Sequence, residues 1–205
     1  MALALLLQVA ADAIAARGRF VLALAGGTTP IPLYKLLVGT GADWDRWYLV
    51  YTDERCLPYG HPQRNSTMVE NNWLRPAGFP PQNHYVPDLE LQAEQAAAAY
   101  AAVIEELLPL DMALLGIGED GHTASLFPGH HYPAQSVVTV HNAPKPPPTR
   151  ISLSYATLNA ARVVCYLVSG VDKYAVVESF CSGLDIPATQ ICGAESTRLM
   201  VAREK

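Results

Sequence analysis

The sequence predicts an α/β protein built on a mostly parallel sheet, and three observations carry this. Short apolar runs recur at residues 20–25, 47–52, 112–115 and 163–168, each closed by glycine or by polar residues. Helical stretches alternate with them. The Ala-rich one, 91–108, is long enough to carry the chain across a sheet between parallel strands. The run at 112–115 leads into Gly116-Ile117-Gly118-Glu119-Asp120-Gly121-His122, with three glycines in six residues. A strand that ends in a glycine loop bearing Asp and His reads as the C-terminal edge of a parallel sheet, where α/β proteins bind ligands.

Composition bounds the class. A chain of 205 residues, half hydrophobic and only 16% charged, reads as one globular domain over 1–205 with a sizeable core. A net charge of −5 argues against general nucleic-acid binding. The charges are unevenly placed. No Lys or Arg lies between Arg75 and Lys145, and no Asp or Glu lies between Asp120 and Asp172. Any cation near His122 must therefore come from before residue 76 or after 144, and the carboxylate-free half suits an anionic ligand. Cys56, Cys165, Cys181 and Cys192 form no CxxC pair, so reduced thiols and a cytoplasmic location are expected. The opening stretch lacks a basic residue before its apolar run and is interrupted by Asp12. It is read as an Ala/Leu-rich helix and not a signal peptide. No run is long enough to span a membrane.

In chain order, residues 2–17 read as a helix and 20–25 as a strand that ends at Gly26-Gly27-Thr28-Thr29-Pro30. Backbone N–H groups at such a turn, with a helix behind them, form an anion site, and Pro30 suits the first turn of that helix. It is not a P-loop, because no Gly-Lys-Ser/Thr follows. Helix 32–38 and strand 47–52 come next, and the strand ends in Asp53-Glu54-Arg55. Arg55 can fork two hydrogen bonds to a phosphate or carboxylate. Asp53 can accept from sugar hydroxyls, orient a histidine, or simply pair with the arginine. Asn65 or Ser66 is read as the cap of a helix running to 74, followed by a Pro-rich loop with a short strand near 84–86. After the crossover helix and the glycine loop, residues 123–126 are expected to start a helix closed by Pro128-Gly129. Strand 136–140 leads to HNAPKPPPT (141–149), a proline-stiffened loop that holds up Lys145. Arg150 opens the next strand. Two cations at a stiff loop suit an anion. A helix at 155–160, the strand 163–168, a helix at 171–181 with Lys173 in its first turn, and a last strand at 199–202 complete the reading. A cation at Lys173 opposes the helix dipole, so it too is expected to face an anion.

Other chemistries fit poorly. GIGEDG matches the dinucleotide fingerprint, but that motif wants an acidic residue about 20 positions on, and none occurs from 121 to 171. His122, His130, His131 and His141 fit no metal-ligand spacing. The nucleophile elbow of serine hydrolases is missing.

Taken in order, LALAGGTTP, TDERCLP, LLGIGEDGHTASLFPG and PKPPPTRISLS followed by LN resemble the 6-phosphogluconolactonases, within the superfamily that includes glucosamine-6-phosphate deaminase. The likeness spans about residues 20–180, and GEDGHTASLFPG is its most specific part. It implies a Rossmann-like three-layer α/β/α sandwich with a mostly parallel sheet, and a sugar-phosphate lactone as partner. It also implies a cytoplasmic location and no required metal. No cofactor, nucleic-acid partner or membrane is expected, and a monomer is expected with a dimer as the alternative. Matched residue by residue, it implies His122 as the general base that activates water, with Asp120 and Asp53 as catalytic companions. Gly26, Gly27, Thr28, Thr29, Arg55, Lys145 and Arg150 fall in the phosphate and substrate contacts. An imidazole ordinarily titrates near pH 6.5, so it can take a proton from water at neutral pH, and a lactone is an activated ester that needs no covalent nucleophile. Two alternatives stand beside hydrolysis. One is a deaminase-like isomerase, although that family places a Glu where Phe127 stands here. The other is a sugar-phosphate sensor without catalysis.

Overall fold

A computed structural model describes residues 1–202. Its centre is a five-stranded, wholly parallel sheet in the order β2-β1-β4-β7-β8. The strands are β1 (Phe20–Leu24), β2 (Trp47–Tyr51), β4 (Met112–Leu115), β7 (Val163–Ser169) and β8 (Ser196–Ala202). These strands are nearly continuous apolar runs because both faces are covered, as parallel sheets require. Successive side chains alternate between two cores. Phe20, Leu22 and Leu24 join Trp47, Leu49, Met112 and Leu114 on one face, under α1 (Ala2–Arg17), α2 (Ile31–Leu37) and α3 (Asn65–Val69). Val21, Ala23, Ala113 and Leu115 join Val164 and Tyr166 on the other, under α5 (Ala93–Leu107), α6 (Tyr155–Asn159) and α7 (Tyr174–Cys181). The result is a three-layer α/β/α sandwich.

Several expectations need correction. The Asp53–Arg55 segment, read as the end of the 47–52 strand, is a separate strand, β3. It pairs antiparallel with β6 (Arg150–Leu153), which pairs with β5 (Val137–Val140), so a second small sheet lies beside the main one. Residues 123–126 form no helix. They make a tight turn in which Thr123 and Leu126 exchange backbone hydrogen bonds, with Ala124 at φ 48. The Thr123 hydroxyl donates to the Gly116 carbonyl and the Ser125 hydroxyl to Asp53. These tertiary bonds outweigh any local preference for a helix. Neither Asn65 nor Ser66 caps α3. The buried Glu54 carboxylate does so from β3, accepting the backbone N–H groups of Asn65 and Ser66 at 2.7 and 2.8 Å. After α3 the chain continues through a π-helical turn (Glu70–Leu74) into α4 (Arg75–Ala77). The strand expected near 84–86 is reduced to one bridge, Leu49 with His84. Lys173 precedes α7 in a short 3₁₀ turn, Val171–Lys173, and β8 begins earlier than the sequence pattern suggests.

At the far end from the glycine loop, the buried Asp111 carboxylate ties α1 to the sheet. It accepts Arg17 Nη2 at 2.5 Å and the Val21 N–H at 2.8 Å. Beside the edge strand β2, Tyr51 Oη and His84 Nε2 lie 2.6 Å apart. Burial pulls His84 down to about 4. The folded state thus prefers neutral His84, while the unfolded chain takes its proton below about 6.5. This contribution is present above pH 6.5 and is lost as pH falls toward 4, up to roughly 3 kcal/mol. Urea midpoints at pH 7 and 4.5 should therefore diverge more for the wild type than for His84→Gln. Equal divergence would remove His84 as the cause.

Candidate active site

The order of the main sheet creates the site. From β1 the chain first moves outward to β2, then returns to add β4 on the other side. The connections leave β1 and β4 in opposite directions, and a crevice opens at their C-terminal ends, the usual ligand position in this architecture. A cleft of about 370 Å³ lies there. The β1–α2 turn supplies Gly26, Gly27, Thr28 and Thr29 to its wall, and the β4 loop supplies Gly118 and His122. β3 supplies Asp53 and Arg55, the proline loop Lys145, and β6 Arg150. The turn after β7 adds Lys173. Asp120 joins through His122. The structure thus brings together every residue that the resemblance placed in the site, and Lys173 with them.

His122 is fixed from two sides. Its Nδ1 is hydrogen-bonded to Asp120 Oδ1, and its own backbone N–H donates to that oxygen at 3.2 Å. Burial pushes the Asp120 carboxyl up, but the bonds and charge of His122 outweigh it and hold the carboxyl below the usual carboxylate range. With Nδ1 engaged as donor, Nε2 is left with the lone pair. The imidazole also packs on Phe127, with ring centroids 4.6 Å apart. Gly118 makes this arrangement possible, because a Cβ there would overlap both the imidazole and the Asp120 carboxylate.

Asp53 does not touch His122, so the histidine-orienting role that the sequence left open to it belongs to Asp120. Asp53 accepts Asn65 Nδ2 at 3.0 Å and the Ser125 hydroxyl at 2.6 Å. Arg150 Nη1 donates to the same hydroxyl at 3.4 Å. Ser125 therefore knots β3, β6 and the histidine loop together. Tyr132 completes the knot, since its hydroxyl accepts the Phe127 N–H at 2.7 Å. Sequence reading missed Ser125, Asn65 and Tyr132 as site residues. Ser125 lies within the loop stretch itself, but nothing local marks the other two. Gly26 has its own reason to lack a side chain, as a Cβ there would collide with the Asn65 amide.

The cations are arranged for an anion. Arg55 and Arg150 are direct cross-strand partners in the β3–β6 pair. Like charges so placed repel unless an anion lies between them. Arg55 Nη1 donates to the Gln63 carbonyl at 2.7 Å, while its Nε is buried without a partner among the described residues. Arg150 grips the proline loop through the carbonyls of Pro147 at 3.1 Å and Lys145 at 2.7 Å, and its guanidinium lies over Phe127. Burial lowers its pKa, opposed by the charge of Asp53, yet an arginine stays protonated at any ordinary pH. In the β1–α2 turn of the same cleft, no backbone N–H of Gly27, Thr28 or Thr29 donates to another backbone group among the described residues.

Residues 1–200 match the family described as glucosamine-6-phosphate isomerases/6-phosphogluconolactonase. The chain belongs to this family. Among its relatives, a 6-phosphogluconolactonase of Nostoc sp. is 38% identical over 174 residues, covering 78% of this chain and 71% of that one. A 6-phosphogluconolactonase of Mycobacterium leprae is 36% identical over 213 residues, covering 94% and 86%. The crystal structure of 6-phosphogluconolactonase from Thermotoga maritima superposes with a TM-score of 0.92 at 26% identity, covering 98% of this chain and 94% of that one. Family membership and this superposition agree with the α/β/α architecture. Phe127, where the deaminase pattern calls for a glutamate, forms an apolar wall against His122. Among the described residues no helix is long and apolar enough to cross a membrane.

Proposed function

We propose that the cleft hydrolyses 6-phospho-D-glucono-1,5-lactone to 6-phospho-D-gluconate, the second step of the oxidative pentose phosphate route, as a single domain and without a metal. The observation that carries this reading is the pairing of an Asp-held histidine with a cluster of cations across one cleft. The relatives' names support the same chemistry.

His122 Nε2 takes a proton from water as the water oxygen bonds to the lactone carbonyl carbon. The carbonyl electron pair moves onto its oxygen, where a cation or a backbone N–H offsets the charge. The tetrahedral intermediate then collapses, the bond from carbon to the ring oxygen breaks, and the imidazolium returns its proton to that oxygen. The new carboxyl group releases a proton to solvent. Asp120 stabilises the imidazolium and holds the tautomer throughout. Arg55, Arg150, Lys145 and Lys173, with the glycine-threonine turn, take the phosphate and so orient the ring.

The lactone also hydrolyses spontaneously, so the test is its disappearance, after generation in situ, with and without protein. The expected result is a large acceleration that is insensitive to chelator. A rate equal to the background, together with binding of the phosphosugar, would replace this reading with a sensor.

A further inference from the structure

Glu119 is the residue of the histidine loop that the mechanism leaves unused. Its Oε1 accepts Lys145 Nζ at 3.4 Å and lies 3.6 Å from Lys173 Nζ. One carboxylate oxygen thus bridges the proline loop and the turn after β7, and both lysines line the cleft. We infer that Glu119 is a specificity-determining residue whose carboxylate competes with anionic ligands for Lys145 and Lys173. This rests on the reading of the cleft as a sugar-phosphate lactonase site.

Three observations support it. The Glu119 side chain is 58% exposed and that of Lys145 61%, so the contact is weak and readily exchanged. Lys173 is only 19% exposed and sits at the N-terminal approach of α7, where the helix dipole disfavours a cation. It needs an anion there, and Glu119 and Asp172 are the carboxylates beside it. Glu119 is also chained to Asp120, so when a phosphate takes the lysines the displaced carboxylate stays at the rim and repels it. The charge of Lys145, followed by that of Lys173, keeps Glu119 ionised by lowering its pKa. Hydrolysis adds a negative charge, because a neutral lactone becomes a carboxylate. A fixed carboxylate at the rim therefore penalises product more than substrate and favours its release.

The test is calorimetric binding of inorganic phosphate and of 6-phosphogluconate to wild type, Glu119→Gln and Glu106→Gln. Glu106 is exposed on α5 and makes the same change in net charge at the opposite end of the sheet. Glu119→Gln should tighten phosphate about threefold to tenfold, tighten 6-phosphogluconate more, and steepen the salt dependence, because only attraction is left for salt to screen, while Glu106→Gln matches wild type. Unchanged or weaker binding in Glu119→Gln overturns the inference and leaves the functional reading standing. Failure of wild type to bind either anion overturns both.

Discussion

Replacing His122 by alanine is expected to lower kcat/KM on the order of 10²- to 10⁴-fold, measured above the spontaneous rate. In the proposed mechanism the imidazole is the general base, and a partner sets its tautomer. Asp120 occupies Nδ1, and the backbone N–H of His122 pins the same carboxylate. Alanine would remove both proposed proton transfers, to the base and back to the ring oxygen. The cations stay in place, because Arg150 is held by loop carbonyls and Ser125, and Arg55 by Gln63. Phosphate affinity should therefore fall far less than turnover. Asp120→Asn should give a smaller loss, since the imidazole remains but loses its charged partner. Equal acceleration by wild type and His122→Ala would sink the mechanism even with the fold intact.

The second large effect falls on stability, at Glu54→Ala. Glu54 is fully buried, and its oxygens accept the N–H groups of Arg55, Asn65 and Ser66. It is also the ionic partner of buried Arg64, with Nε 3.7 Å away. Removing it leaves an uncompensated guanidinium and three orphaned donors in the interior. The expected cost is about 3–5 kcal/mol in urea unfolding. Glu54→Gln should cost less, because one oxygen can still accept. The damage should also reach the cleft, since Arg55 lies on the same strand and Asn65 holds Asp53. A loss below about 1 kcal/mol in Glu54→Ala would show that the pair offsets its own desolvation and contributes little.

The buried strands and long helices were legible because their signals are local. A run such as FVLAL has one stable fate when both faces are covered, and the Ala-rich stretch has both the propensity and the length of a crossover helix. The place of the glycine loop at a cleft was legible for a similar reason: Gly118 and His122 are near neighbours in the chain, and their fit is set within a few residues. The charge gaps likewise foretold that cations must reach His122 from distant segments.

The parallel α/β layout, the histidine loop at its C-terminal edge, and the cations available to it can all be read from the order of residues. That Asp53-Glu54-Arg55 is a strand depends on long-range pairing: its three charged residues carry no periodicity, and its partner is β6, far along the chain. The same pairing set Arg55 beside Arg150, gave Asp53 to Asn65 and Ser125 instead of His122, and aimed Glu54 at a helix end. It also turned residues 123–126 away from a helix. The division follows the physics. Hydrophobic burial and backbone propensity act along short stretches of chain. A buried polar group must instead find its partner wherever the fold brings one within hydrogen-bonding distance.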